Sequence, residues 1–184
     1  MSWKTLQSKI IIKNKFFTLT KDRCQKSNGE IIGDYFSIFR PEAAIVAAFT
    51  EKMELIMINQ YRYPVKSLDL ELPAGYIEPK EKNIAQAAAR ELLEETGFKA
   101  GKLIRLQKSF ASAGFLTNSV YFFIAFNCQK IQEQKLDKSE EIGVKITPWK
   151  KVSALLEKGK IKDMGSVCGI LLATEYFKNH NVRP

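Results

Sequence analysis

Apolar and polar positions in the first half of this chain follow the short-run pattern of β-strands. Lys9-Ile10-Ile11-Ile12-Lys13 and Phe16-Phe17-Thr18-Leu19-Thr20 predict two short strands. Ser27-Asn28-Gly29-Glu30 reads as a hairpin turn, and Ile31 to Phe39 as the next strand. The continuous apolar run Ala43 to Phe49 suits a buried strand. Glu54 to Arg62 follows it, and strands recur at Lys102 to Phe110 and Val120 to Asn127. Thr147-Pro148 predicts a helix start as N-cap and N1, with Gly159 as its stop. A last helix is expected from about Ser166 to Phe177. Strands mixed with a few helices imply an α/β sandwich. No internal repeat or linker divides the chain.

A helical period governs residues 83–97. Asn83-Ile84-Ala85-Gln86 reads as a capping box, with Asn83 as N-cap and Gln86 at N3. Ala85, Ala89, Leu92, Leu93 and Thr96 fall on one side at ~100° per residue, and Gly97 supplies the stop. Glu91, Glu94 and Glu95 stand at i, i+3 and i+4, so they share a face, expected to lie opposite the apolar side. They also occupy the C-terminal end, where the helix dipole disfavours negative charge. Each like-charged pair costs a few tenths of a kcal/mol. A bound cation reverses that balance, and an all-oxygen ligand set favours Mg²⁺ or Mn²⁺ over zinc. The alternative is a surface helix with solvated glutamates and an Arg90–Glu94 pair.

Composition narrows the chemistry. The 184 residues fit about one domain with a real core. No run of 18 apolar residues suggests a membrane span, and Met1 to Ile11 lacks the apolar stretch of a secretory signal. Cys24, Cys128 and Cys168 are odd in number and far apart, which fits reduced thiols and a cytoplasmic protein. The single histidine, His180, falls in a tail expected to fray. Histidine-based triads and multi-histidine metal sites are therefore excluded. The formal net charge of +9 favours anionic partners. The lysines are dispersed, however, so a nucleic-acid stripe is not expected.

Gly75 to Phe98 reads GYIEPKEKNIAQAAARELLEETGF. This stretch resembles the Nudix box, G-x5-E-x7-R-E-U-x-E-E-x-G-U with U bulky and apolar. Gly75, Glu81, Arg90, Glu91, Leu92, Glu94, Glu95, Gly97 and Phe98 match it. The departure is eight residues between Glu81 and Arg90 instead of seven, which leaves the role of Glu81 open. The likeness extends from Trp3 to about Tyr176. An N-terminal β extension, Gln60-Tyr61-Arg62 and Glu71-Leu72-Pro73-Ala74-Gly75 resemble the ADP-ribose and nucleoside-diphosphate-sugar pyrophosphatase branch of Nudix hydrolases.

The resemblance implies a Nudix-type α/β/α sandwich with a mixed sheet. Residues 1–40 would be a β extension and dimerisation element, and 41–184 the hydrolase domain. It implies metal-dependent cleavage of a nucleoside diphosphate sugar or ADP-ribose, giving a nucleoside monophosphate and a sugar phosphate, in a homodimer. Glu91 and Glu95, with Glu94 and the Ala74 carbonyl, would hold Mg²⁺, or Mn²⁺ in its place. Gly75 would let the backbone approach the cation, and Arg90 would orient the carboxylates. Arg62 is either a phosphate ligand or the partner of Glu71 in a structural salt bridge. Glu71 joins it as a substrate-side candidate, and Lys66 is a weaker one. Ser139 to Val144 resembles the late loop that supplies a glutamate base. Glu141 is the first choice there and Glu140 the second, against two solvated carboxylates. Phe110 to Asn118 occupies the substrate loop, where Phe115 is placed to contact a base or sugar. Ala113 stands where many ADP-ribose pyrophosphatases carry proline, which raises the standing of hexose-linked nucleotides such as GDP-mannose. Tyr121, Phe122 and Phe123 are read as strand core. Other classes stay open: hydrolysis of NTPs or 5′-triphosphorylated RNA, and a non-catalytic nucleotide sensor on the same fold.

Overall fold

The computed structural model describes residues 1–81 and 83–182. They form two units. The first comprises Met1–Glu42 and Ser109–Val120. In it β1 (Lys4–Lys13), β2 (Thr18–Gln25) and β3 (Ile31–Phe39) make an antiparallel sheet in that order. β1 starts earlier than expected, and Phe16 and Phe17 are not strand. The Asn14 Oδ1 accepts their N–H groups at 2.8 and 3.0 Å, which closes the β1–β2 link before Thr18. The β2–β3 turn falls where Ser27 to Glu30 predict it. Gly29 adopts φ +89°, a left-handed conformation that costs glycine little, and its N–H reaches the Lys26 carbonyl at 3.0 Å. The segment Ser109–Val120, which carries the expected substrate loop, belongs with these strands. Ile38 N–H donates to the Phe115 carbonyl at 2.9 Å, and Thr117 N–H to the Ile38 carbonyl at 3.0 Å.

The second unit comprises Ala43–Lys108 and Tyr121–Pro184. Its elements begin with β4 (Ala43–Thr50), β5 (Glu54–Arg62), β6 (Ser67–Glu71) and β7 (Ala74–Tyr76). Then come α1 (Ile84–Thr96), β8 (Phe98–Lys99), β9 (Lys102–Phe110) and β10 (Ser119–Lys130), the last residues of β9 and the first of β10 counting with the first unit. β11 (Ile142–Pro148), α2 (Val152–Glu157) and α3 (Met164–Asn179) complete it. The sheet order is β11-β5-β4-β10-β8, with β6, β7 and β9 paired to β5, β4 and β10.

β4 explains the layering. Ala44, Val46 and Ala48 share a cluster with Ala88 and Leu92 of α1. The alternate residues face the other helical layer. Ile45 lies against Gly165 and Gly169 of α3, and the Phe49 ring meets Phe177 at 5.1 Å and Trp149 at 5.2 Å. A strand apolar on both faces therefore carries a helix layer on each, the expected α/β/α sandwich. Tyr121, Phe122 and Phe123 are buried in β10, as expected of core residues.

Two helix boundaries differ from expectation. Thr147 and Pro148 do not begin a helix. They continue β11 against Leu55 and Glu54 of β5, and a 3₁₀ turn at Trp149–Lys151 intervenes before α2. Ladder pairing with β5 overrides the local N-cap signal. Gly159 ends the segment at φ +60°. α3 starts at Met164, two residues before the expected Ser166, because the Asp163 carboxylate caps it through the Ser166 N–H at 2.6 Å. His180 is not frayed. Its ring stacks on Tyr176 at 4.0 Å, and its Nδ1 is 2.9 Å from the Tyr176 carbonyl. Of that expected tail, Lys178 to Pro184, only Arg183 and Pro184 lie outside the described residues. Among the described residues no helix is long and apolar enough to cross a membrane. All three cysteines are free thiols.

Candidate active site

α1 and β7 build the site together. Asn83 caps α1 by accepting the Gln86 N–H at 2.9 Å, and Gly97 closes it at φ +77° with its N–H on the Leu93 carbonyl. The buried positions of α1 are Ala87, Ala88, Leu92, Glu95 and Thr96. This corrects the expected face: Ala85 and Ala89 are exposed, while Glu95 is only 3% exposed and Glu91 is mostly covered. The cause is β7, a three-residue strand that packs against α1 and turns its backbone toward the glutamates. Ala74 N–H donates to Glu95 Oε2 at 2.9 Å. A Cβ on Gly75 would overlap the Glu91 carboxylate, so only glycine leaves that carboxylate its place.

Arg90 holds the remaining carboxylates. Its Nε donates to Glu81 Oε1 at 2.9 Å and its Nη1 to Glu94 Oε2 at 2.8 Å. Its Nη2 reaches the Tyr76 carbonyl at 3.0 Å and pairs with Glu91 Oε1 at 2.9 Å. Glu81 also accepts the Glu78 N–H at 2.7 Å, which fixes its loop. The extra residue of the box thus leaves Glu81 able to reach Arg90. The Arg90 hydrogen bond holds the Glu81 carboxyl below its ordinary pKa despite burial. Burial opposes the Arg90 charge, but hydrogen bonds to Glu81 and Glu94 outweigh it and raise its pKa. Arg90 is a positioning residue for three glutamates.

Arg62 and Glu71 meet in a two-pronged pair. Nε donates to Oε1 at 2.7 Å, and Nη2 bonds Oε2. Glu71 is buried, so of the two readings of Arg62 the salt bridge is present, and Glu71 stands behind Arg62 and not on the cavity wall. Arg62 remains half-exposed and lines the cavity. Lys66 does not line it; its ammonium sits over the Tyr63 ring.

The cavity is about 430 Å³ and brings Arg62, Ala74, Gly75, Arg90, Glu91, Glu94 and Glu95 together. The late carboxylate that lines it is Glu140. Glu141, the first choice from sequence, is exposed and does not. The pairing of Ile142 with Gln60 sets this order: it fixes where β11 starts and leaves Glu140 in the preceding turn. Phe115 belongs to the first unit and is half-exposed. Gln60, Lys135 and Asp137 also line the cavity, and sequence reasoning missed them as site residues. Gln60 alone had a signal, because it stands two positions before Arg62 on one strand and so shares its face.

The carboxylates are electrostatically unbalanced. Burial pushes Glu91 up to about 7, partly offset by Arg90. Burial pushes Glu95 up to about 8, against the Ala74 N–H, and the Glu91 and Glu140 charges add to the rise. Arg90 is spent on Glu81, Glu91 and Glu94, so Glu95 gains little from it. A divalent cation fits this all-oxygen donor set by charge and type. Among the described residues, however, no three acidic, histidine or cysteine side chains converge on one point as they stand. The expected set of Glu91, Glu94, Glu95 and Ala74 shares one cavity without closing into one sphere. Arg90 and the Ala74 N–H are the nearer donors.

Comparison with known proteins bears on the whole chain. Residues 39–166 match the model of the NUDIX domain. The chain belongs to the Nudix family. Residues 3–38 match the model described as the nucleoside diphosphate sugar hydrolase N-terminal domain. The chain is 30% identical to ADP-ribose pyrophosphatase of Bacillus subtilis, over 87% of this chain and 89% of the relative. It is 28% identical to GDP-mannose pyrophosphatase of Enterobacter sp., over 86% of this chain and 87% of the relative. A crystal structure of an ADP compounds hydrolase superposes with a TM-score of 0.87 at 24% identity, covering 100% of this chain and 98% of the other. That likeness establishes the fold of this Nudix chain.

Proposed function

We propose that this Nudix enzyme hydrolyses the diphosphate of a nucleoside diphosphate sugar or of ADP-ribose to a nucleoside monophosphate and a sugar phosphate. The observation that carries the reading is the single cavity lined by Glu91, Glu94, Glu95, Glu140, Arg62 and Ala74. The match of residues 3–38 to a nucleoside diphosphate sugar hydrolase N-terminal domain supports the substrate class. Its relatives named for ADP-ribose and GDP-mannose point the same way.

Each residue has a task. Glu91 and Glu95, with Glu94 and the Ala74 carbonyl, would hold Mg²⁺ or Mn²⁺. When bound, that ion would neutralise the diphosphate's charge and acidify the attacking water. Arg62, held by Glu71, presents its free N–H groups to a phosphoryl oxygen. Arg90 keeps Glu91 and Glu94 in place. Glu140 takes the proton of the water as its oxygen bonds to phosphorus, while the bridging P–O bond breaks and the departing phosphate carries that bond's electrons. Glu141, outside the cavity, has no part in this scheme.

The N-terminal strands point to a second copy of the chain as partner. β1 exposes Leu6, Ile10 and Ile12, and β3 exposes Phe36 and Phe39. Three strands with so little core need a cover. We assign these strands to a homodimer interface. Sedimentation should show a dimer, and a fully active monomer would remove the assignment.

The function is tested by turnover in ¹⁸O water with and without EDTA. The expected result is chelator-sensitive cleavage with solvent oxygen in one phosphate product. Label at the anomeric carbon, or full turnover in EDTA, would defeat the reading.

A further inference from the structure

Three cations line the cavity, and two are committed. Arg62 is held by Glu71, and Arg90 by Glu81, Glu91 and Glu94. The third is Lys135, which has no ion-pair partner among the described residues. Its position is built. Lys135 N–H donates to the Glu94 carbonyl at 2.8 Å. The neighbouring Gln134 Nε2 donates to the Glu95 carbonyl at 2.5 Å and to the Ile142 carbonyl at 3.1 Å. These bonds tie the segment that carries Lys135 to the end of α1, directly behind the metal-ligand candidates. Leu136 and Asp137 of the same segment line the cavity too.

We propose that Lys135 is a substrate ligand for the phosphoryl group that Arg62 does not hold. The assignment rests on the diphosphate reading above. A diphosphate diester carries one negative charge on each of its two phosphoryl groups. A guanidinium clamps one group with parallel donors, and an ammonium on a flexible stem follows the other as a point charge. The rest of the lining carries Glu78, Glu91, Glu94, Glu95, Asp137 and Glu140, a wall that repels such a substrate. Lys135, the one lining cation without an ion-pair partner among the described residues, meets that need. The competing role for Lys135 is structural. The last turn of α1 has no basic residue, so Lys135 supplies a counter-charge to the helix end. The two roles separate by experiment, because a counter-charge affects stability and not phosphate affinity.

The test compares full-length wild type, K135M and K135R. Titration calorimetry with inorganic pyrophosphate and Mg²⁺ reads the phosphate contact without turnover. Kinetics on ADP-ribose and GDP-mannose read it in the reaction. K135M is expected to weaken pyrophosphate binding and raise KM on the order of tenfold. K135R should recover most of both. Of the two monophosphate products, only the one carrying the Lys135-held phosphoryl group should lose inhibitory affinity. If wild type binds no pyrophosphate, or if K135M matches it in pyrophosphate affinity and KM while losing only thermal stability, the proposal is overturned. If wild type cleaves no diphosphate conjugate yet binds pyrophosphate through Lys135, the proposed function fails and Lys135 stands as a phosphate ligand only.

Discussion

Replacing Glu95 with glutamine should make the metal-free protein more stable while destroying its activity. Glu95 is 3% exposed, and its folded pKa rises from 4.5 to about 8, chiefly through burial. Between those values the folded state holds the proton more tightly than the unfolded chain. Stability from this group is therefore complete below about pH 4.5 and is lost as pH rises toward 8. At pH 7 only the part of the shift between pH 4.5 and 7 counts, a loss of about 3 kcal/mol at ~1.4 kcal/mol per unit. Water entering from the cavity screens part of it, which leaves roughly 1–3 kcal/mol. Glu95→Gln removes the ionisable group and keeps an oxygen for the Ala74 N–H. Its Tm in EDTA should exceed that of wild type by roughly 2–12 °C at pH 7–8, at ~2–4 °C per kcal/mol. The gap should close near pH 5. Excess Mg²⁺ at pH 8 should raise the wild-type Tm and leave the variant unchanged. Scanning calorimetry from pH 5 to 9 reads all of this. A gap that is constant with pH, or a less stable variant, would refute the claim that burial leaves the ionised Glu95 carboxylate uncompensated.

Other substitutions probe the remaining parts of the site. Arg90→Met strands Glu81, whose side chain is only 8% exposed, and should cost on the order of 3 kcal/mol in denaturant unfolding; a neutral effect would remove Arg90 as organiser. Gly75→Ala should fold normally but lower kcat more than about tenfold, because the new methyl displaces the Glu91 carboxylate; full activity would show that the position of Glu91 is not critical. Glu140→Gln should slow kcat by about two orders of magnitude or more, with Glu141→Gln near wild type, and the reverse ranking would restore the expectation from sequence. Arg62→Lys should raise KM on the order of tenfold with little change in Tm, whereas an unchanged KM would leave Arg62 a purely structural partner of Glu71.

Much of the fold was legible because its signals are local. β3, β5 and β9 begin and end where their apolar runs meet turn residues. α1 is bounded by the Asn83 cap and Gly97, and its Arg90–Glu95 stretch stands out in any reading of the chain. What escaped depends on residues far apart in sequence. β7 and β8 span three and two residues, too short for a period, and exist through pairing with β4 and β10. Because β7 was invisible, Glu91 and Glu95 were assigned to an outer face. The alanines on several sides of α1 gave no contrary signal. The choice between Glu140 and Glu141 turns on the register of β11 against β5. Gln134 and Lys135 reach the site through the carbonyls of α1, which no side-chain pattern announces.

The measurement that bears most directly on the central claim is a side-by-side comparison of kcat/KM with Mg²⁺. The substrates are ADP-ribose, GDP-mannose and other nucleoside diphosphate sugars, NTPs, and 5′-triphosphorylated RNA, with released products identified by mass. The account predicts that at least one diphosphate conjugate is cleaved to a nucleoside monophosphate and a sugar phosphate, faster than any triphosphate. If NTPs or triphosphorylated RNA exceed every conjugate by more than about tenfold, the proposed substrate class is wrong.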